Sequence, residues 1–364
     1  MRVGISCYWF NRGQGVVGRQ LRSALEELGH ETFVLARPTR AKNLKPSYIA
    51  EDDVWDQPGV TRASAYRIPA EELERWAREH ELEVAMFDQN YQFEEIERLR
   101  RMGVRTIGRF VWEHFGREHV EPARRAFDTV YSVTACERER YAALGLETPH
   151  VPWGIHPELL RAAPEGKERR DDGEVRFFFP GGFMSRRKPL GPTLKAFRKA
   201  RGEELRLLVK AQVERGVDEV AKAARRDPRI EVIAADLPTD EHLALFASAD
   251  VCLAPSRWEG LGLHLFEATA LGLPILTNDN PPMNEIVQHE RSGLLVRGVR
   301  SRVRPRSDIG SFDPHRRELT RAIERLRDPD LRARLAAGAR ERREELRWER
   351  TVAALRELLE PSGG

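Results

Sequence analysis

The sequence predicts an α/β protein of two doubly wound domains, each a mostly parallel sheet covered by helices, facing one another across a cleft. Three observations predict it. Short apolar runs of strand length alternate with amphipathic helical stretches along most of the chain. That rhythm breaks at a Pro- and charge-rich stretch, residues 149–174, and then restarts. The 364 residues also exceed what one ordinary core fills, whereas two domains of about 150–200 residues each suit that length.

In the first series, residues 2–7, 31–35, 83–87, 106–111 and 129–133 read as strands, and 17–28, 73–80 and 94–102 as helices. In the second, 175–179, 205–209, 230–234, 251–254 and 274–277 read as strands, and 193–201, 217–226, 241–247 and 263–271 as helices. Strands separated by helices connect in parallel, with helices on both faces. Residues 304–312 are polar and contain Pro and Gly, predicting a mobile loop. Residues 318–359 read as helical with a break near Asp328-Pro329, and Pro361-Ser-Gly-Gly as a frayed end. The domains predicted are 1–153, a linker over 154–174, a second domain over 175–345 and a final helix over 346–364. No repeat of 20–50 residues is present, which argues against a solenoid. In open sheets of this kind ligands sit beyond the carboxyl ends of the strands, so the cleft is the expected site.

Hydrophobic residues make up 40% and charged residues 33%, a globular balance. No apolar run approaches the roughly 20 residues that span a bilayer. Met1 leads straight into the strand pattern Arg2-Val3-Gly4-Ile5-Ser6, so no secretory leader is expected and the cytoplasm is the expected location. Cys7, Cys136 and Cys252 are odd in number and without metal spacing, predicting reduced thiols with neither a disulfide nor a zinc site. A net charge of +3 does not demand a nucleic-acid partner. Arginine outnumbers lysine 53 to eight. Codon bias or heat adaptation is one reading of that excess. An anionic partner, such as phosphates or a peripherally contacted membrane surface, is the other.

The most informative segment is Pro255-Ser-Arg-Trp-Glu259-Gly-Leu-Gly262-Leu-His264-Leu-Phe-Glu267-Ala-Thr-Ala-Leu-Gly272-Leu-Pro274. It begins where a strand ends, passes a Gly-x-Gly turn and opens a helix. Such a turn leaves backbone N–H groups at a helix N-terminus, where the dipole favours an anion such as a diphosphate. Glu259, on the loop, is placed to accept hydrogen bonds from sugar hydroxyls, and Glu267, in the first turns of the helix, from a ribose diol. An ordinary strand–loop–helix with an N-terminal carboxylate is the competing interpretation.

Glu-x7-Glu followed by Ala-x-Ala-x-Gly-x-Pro resembles the donor-site signature of the retaining glycosyltransferases of family 4, which have the GT-B fold: two Rossmann-like domains facing across a cleft. Leu237-Pro-Thr-Asp-Glu-His-Leu, Ala249-Asp250-Val-Cys-Leu-Ala-Pro255-Ser256, Asn280-Pro-Pro-Met-Asn-Glu285 and Gly293-Leu-Leu-Val296 resemble neighbouring family stretches. Trp348-Glu349 resembles the point where the family's last helices cross back to the first domain. The resemblance is dense over residues 175–296 and looser before them. It implies that Glu259 contacts the transferred sugar, that amides of Gly260, Leu261, Gly262 and Leu263 hold the diphosphate, and that Glu267 binds the ribose. His264, where the family often has Thr or Pro, either reaches the phosphates or packs.

A second phosphate element resembles Phe179-Pro-Gly181-Gly182-Phe-Met-Ser-Arg186-Arg187-Lys188-Pro189. Lys188 matches the family's phosphate-binding Lys, but Gly182 stands where the family usually has Arg. Either Arg186 or Arg187 substitutes, or amides of the Gly181-Gly182 turn serve. Lys210, at another strand end, either reaches donor phosphate or base or is solvated. In the first domain, Asn11-Arg12-Gly13-Gln14-Gly15-Val-Val-Gly18 resembles the family's glycine loop, with Gly15 toward the donor and Asn11 and Arg12 toward the acceptor. Phe110-Val-Trp112-Glu113-His114-Phe115 ends a strand where the family commonly has a His. His114 is the expected proton-handling residue, with Glu113 as the alternative base or hydrogen-bond acceptor. Asp88 and Asn90 are expected to line the acceptor pocket. Thr134 resembles the family's post-strand Ser, and Trp153-Gly154-Ile-His156-Pro157 its interdomain turn with His for Asp.

The resemblance implies retaining transfer from a nucleotide-sugar, a UDP-sugar first and a GDP-sugar next, to an acceptor hydroxyl on a lipid carrier, saccharide, protein or small metabolite. No cofactor and no metal are expected. The alternatives are a non-catalytic nucleotide-sugar-binding subunit and a GT-B enzyme of other chemistry, an epimerase or phosphorylase.

Overall fold

The computed structural model describes residues 1–39, 48–161, 173–214, 216–305 and 307–360. Most of the expected linker (162–172), Arg306 of the expected loop and the expected frayed end at 361–364 lie outside the described residues. The chain divides into two compact units, Met1–Trp153 with Glu349–Gly364, and Gly154–Trp348.

The first unit holds β1 (Arg2–Tyr8), β2 (Glu31–Arg37), β3 (Val60–Arg62), β4 (Val84–Asp88), β5 (Arg105–Arg109) and β6 (Thr129–Tyr131). They form one sheet in the order β3-β2-β1-β4-β5-β6, every pair parallel. Val3, Ile5 and Cys7 are fully buried, and so are the alternate positions Gly4 and Ser6. Helices on both faces require this two-sided burial of a central parallel strand. Among the covering helices, Gly13–Glu27 follows β1, Ala70–Glu79 precedes β4 and Phe93–Arg101 precedes β5. From Glu349 the last helix, Trp348–Leu359, counts with this unit. Thr351 Oγ1 donates to the Pro152 carbonyl (2.7 Å), and the Arg105 guanidinium donates to the carbonyls of Leu358 (2.7 Å) and Leu359 (2.8 Å).

The second unit holds β7 (Val175–Gly182), β8 (Leu205–Ala211), β9 (Ile230–Ala234), β10 (Val251–Leu253), β11 (Ile275–Asp279), β12 (Gly293–Arg300) and β13 (Phe312–Pro314). The order is β13-β12-β11-β10-β7-β8-β9. Its six parallel strands repeat the pattern of the first sheet, and β13 adds an antiparallel edge through Arg300↔Phe312. Phe177, Phe179, Phe197, Leu207 and Val209 lead its core.

The structure corrects the sequence reading in several places. Phe312, expected within a loop, opens β13. The C-terminal helical region breaks twice. At the first break Asp328 caps the helix Pro329–Glu345 by accepting from the Asp330 amide (2.9 Å), with Pro329 in the first turn where its missing N–H is harmless. At the second, next to the expected boundary at 345/346, Arg347 bridges Ile155, whose amide donates to the Leu346 carbonyl (2.7 Å). The short β3 and the helices Val120–Ala126, Ala135–Ala143 and Met283–Ile286 also escaped the sequence reading. Cys7, Cys136 and Cys252 are buried and form no disulfide among themselves. Among the described residues no helix is long and apolar enough to cross a membrane.

Candidate functional site

The topological switch point of the second sheet lies between β7 and β10, because the chain turns to β8 on one side and to β11 on the other. The loops that follow these two strands therefore emerge side by side, which is where open α/β sheets hold ligands. Arg257 ties them together. Its Nη1 donates to the carbonyls of Arg186 (2.7 Å) and Lys188 (3.2 Å), its amide donates to the Arg187 carbonyl (2.8 Å), and its Nε pairs with Asp313 Oδ1 (2.7 Å).

Across this junction four predicted residues meet. Lys188 Nζ donates to Glu259 Oε1 (2.9 Å), Ser256 Oγ (3.1 Å) and His264 Nε2 (3.3 Å). Arg187 Nη1 donates to Glu259 Oε2 (2.5 Å), and Ser256 Oγ donates to Oε1 (2.7 Å). Glu259 and Lys188 are buried, whereas the Arg187 side chain keeps 36% of its surface exposed. Burial by itself would raise the Glu259 carboxyl, but the Arg187 and Lys188 cations overcome it and hold the group well below the usual carboxylate range. Burial, with Lys188 and Arg187 adding to it, pushes His264 down to about 3 against the pull of Glu259, so its imidazole is neutral at pH 7. Burial also lowers Lys188, with Glu259 opposing. Two cations and one carboxylate leave the cluster with an excess of one positive charge.

His264 lies in the first turn of the helix Leu263–Ala270, which starts at Gly262 with φ +83° and no side-chain cap. A side chain at that φ would be strained, so glycine is what lets the loop turn directly into the helix. Gly260 and Leu261 are buried just before it. The amides of such a first turn have no intrahelical acceptor and favour an anion. Glu267 is partly exposed further along this helix, its Oε2 3.7 Å from His242 Nε2.

The remaining predicted residues fall elsewhere. Gly181 and Gly182 end β7, where the Gly182 carbonyl accepts from the Gln212 amide (2.8 Å). Lys210 is buried and donates to the carbonyls of Ala211 (3.1 Å) and Ala235 (2.5 Å). Neither a solvated ammonium nor a member of the Lys188 cluster, it ties together the ends of β8 and β9. In the first unit a Cβ on Gly15 would lie 2.2 Å from the Phe10 carbonyl oxygen, so the close approach of the helix to the loop after β1 requires this glycine. Arg12 immediately precedes the helix Gly13–Glu27 in extended backbone, with Asn11 before it. Asp88 pairs with Arg109 at 2.8 Å, both side chains buried, while Arg37 Nη2 donates to the carbonyls of Asp88 (3.3 Å) and Gln89 (2.9 Å). Asn90 is fully buried, its Oδ1 accepting from the Gln92 amide (3.0 Å). Of these two residues expected to line a pocket, Asp88 thus ties the ends of β4 and β5, and Asn90 holds the turn that follows β4. His114 follows β5 and is 39% exposed, its Nε2 3.9 Å from Oε1 of the buried Glu113. Thr134 caps the helix Ala135–Ala143 through the Glu137 amide (3.2 Å), and Trp153 Nε1 donates to Gln20 Oε1 (3.2 Å).

Sequence reasoning did not single out Ser256 or Arg257 as site residues, although both stand in the quoted Pro255 segment. Ser256 was discoverable as a hydroxyl at a strand end; nothing local marks Arg257, whose partners lie 69 and 71 residues away.

Two doubly wound sheets of the same strand order are the architecture of the GT-B fold. Residues 174–302 match the model of the family described as glycosyl transferases group 1. The sucrose-phosphate synthase of Thermosynechococcus elongatus superposes with a TM-score of 0.74 over 98% of both chains at 18% identity. Alr3699/HepE of Anabaena, in complex with UDP and glucose, superposes with a TM-score of 0.72 over 99% of both chains at 14% identity. At these identities the likeness is one of fold. The D-inositol 3-phosphate glycosyltransferase of Acidothermus cellulolyticus is 32% identical over 124 residues, 34% of this chain. That match spans 24% of the relative's length.

Proposed function

We propose that this chain is a retaining glycosyltransferase that takes a sugar from a nucleotide-sugar and passes it to an acceptor hydroxyl in the cytoplasm. The observation that carries this reading is the convergence of Arg187, Lys188 and Glu259 at the β7/β10 switch point, beside the N-terminus of the helix Leu263–Ala270. The group 1 match over the same unit supports it. A UDP-sugar is the first donor to test, since UDP and glucose occupy the Anabaena protein of the same fold; a GDP-sugar is the next.

In this reading Arg187 fills the role left open by Gly182. It and Lys188 neutralise the diphosphate with the amides of Gly262, Leu263 and His264, and Glu267 accepts from the ribose diol. Glu259 accepts from hydroxyls of the transferred sugar. The acceptor hydroxyl attacks the anomeric carbon from the face the nucleotide leaves, and the departing phosphate assists its deprotonation. Charge developing on that phosphate is met by fixed donors already in place, which is the main source of acceleration. These cations and amides also carry the proposal that no metal or other cofactor is required. His114 and Glu113, in the first unit, are assigned to proton handling on the acceptor side.

The test is to incubate the protein with UDP- and GDP-sugars and a panel of lipid, saccharide and small-molecule acceptors, with a chelator present, following nucleoside diphosphate release and the anomeric configuration of the product. Acceptor-dependent release with retention is expected. Donor binding without release from any acceptor would instead mark a nucleotide-sugar-binding subunit.

A further inference from the structure

The proposed function gives Arg187 and Lys188 to the diphosphate and Glu259 to the sugar, yet in the structure these three side chains bond to one another. An ammonium group has three N–H donors. Those of Lys188 meet Glu259 Oε1, Ser256 Oγ and His264 Nε2, all within 3.3 Å. A phosphate oxygen reaching this ammonium must therefore replace a partner already there. Carboxylate and phosphate draw on the same charge-assisted donors, so Glu259 is the partner whose charge competes with the newcomer. Its second oxygen holds Arg187, the more exposed of the two cations. Ser256 keeps Glu259 turned toward Lys188 by donating to the oxygen that Lys188 also contacts.

We infer that Glu259 is an internal competitor for the donor's diphosphate. Diphosphate binding draws Arg187 and Lys188 away from Glu259, and the freed carboxylate becomes available to the sugar hydroxyls. After transfer, return of Glu259 to the same cations helps displace the nucleoside diphosphate. One residue thereby links sugar recognition to product release. The inference rests on the nucleotide-sugar reading of this site.

The experiment is isothermal titration calorimetry of the full chain with inorganic pyrophosphate, UDP and GDP, comparing wild type with Glu259→Gln and Glu259→Asp. Removing the carboxylate charge leaves Lys188 buried without its anion. Pyrophosphate and the preferred nucleotide should then bind about tenfold or more tightly to Glu259→Gln, although transfer is lost. Glu259→Asp keeps the charge but shortens the reach, so its tightening should be smaller; it carries the test if thermal unfolding shows that the Gln variant does not fold. Unchanged or weaker binding in the folded variants, with wild type binding normally, overturns the competitor role and leaves the nucleotide-sugar reading standing. Failure of all three proteins to bind any of the three probes overturns that reading, and the inference with it.

Discussion

The two sheets share one strand order but use charge at their strand ends in opposite ways. In the first unit Asp88 and Arg109 close on each other, with 4% and 2% of their side chains exposed, and Arg37 bonds to neighbouring carbonyls. In the second, one carboxylate faces two cations, and the outer one, Arg187, remains over a third exposed. A balanced, sealed ion pair joins strands but offers nothing to a ligand. An unbalanced pair with an accessible member holds charge ready for an anion. Similar residue types at strand ends of one topology, β4 and β5 in the first unit and the β7/β10 switch point in the second, thus yield a brace in one and a candidate site in the other.

The largest expected break in this contrast is Glu259→Ala. Nucleoside diphosphate release in the presence of acceptor should fall by about a thousandfold, the range seen when an active-site polar group is removed. The variant should also melt earlier, because Lys188 is left buried without its carboxylate. Turnover at the wild-type rate would remove Glu259 from the mechanism. Asp88→Ala is the matching change in the first unit. It leaves Arg109 buried without its ion-pair partner, and urea unfolding should show a loss of about 3–5 kcal/mol. A loss under 1 kcal/mol would mean that this pair is not a brace.

A third contrast appears in pH. Burial raises Glu137, in the first unit, to about 7, against the Arg109 cation and the Val133 amide, which lower it. Between the ordinary value of 4.5 and 7, the folded protein holds a proton that the unfolded chain has released. Its contribution is therefore full below 4.5 and is lost as pH rises toward 7, about 3 kcal/mol in all. Glu259 has the opposite sign: its folded value is depressed, so its contribution is present above 4.5 and lost as pH falls below it. Hydrogen exchange read separately in the two units should show Glu137→Gln flattening the pH 4.5–7 slope in the first unit only. The smallest effect expected is from Gly15→Ala. The new methyl meets a backbone oxygen at 2.2 Å rather than a side chain that could swing away. A loss of about 1–3 kcal/mol should register as a lower unfolding midpoint.

What the sequence by itself determined is what local pattern can carry. Alternation of apolar runs with helical stretches was enough for two doubly wound units, and chain position put Glu259, Lys188 and the Gly262 turn at strand ends in the second. Resemblance to family 4 added roles for Glu259, Glu267 and Lys188. Only the tertiary structure decided which charges meet. Lys188 and Glu259 are 71 residues apart, as are Arg186 and the Arg257 that ties its loop, and Asp88 and Arg109 are 21 apart. Nothing in periodicity distinguishes a strand-end Asp that will face a ligand from one that will be sealed by an Arg on the next strand. The same holds for Lys210, whose partners, the carbonyls of Ala211 and Ala235, leave no trace in side-chain pattern because every residue has one. Periodicity reports which face of an element is buried; pairing of buried charge depends on register between elements, and register is settled only when the sheet forms.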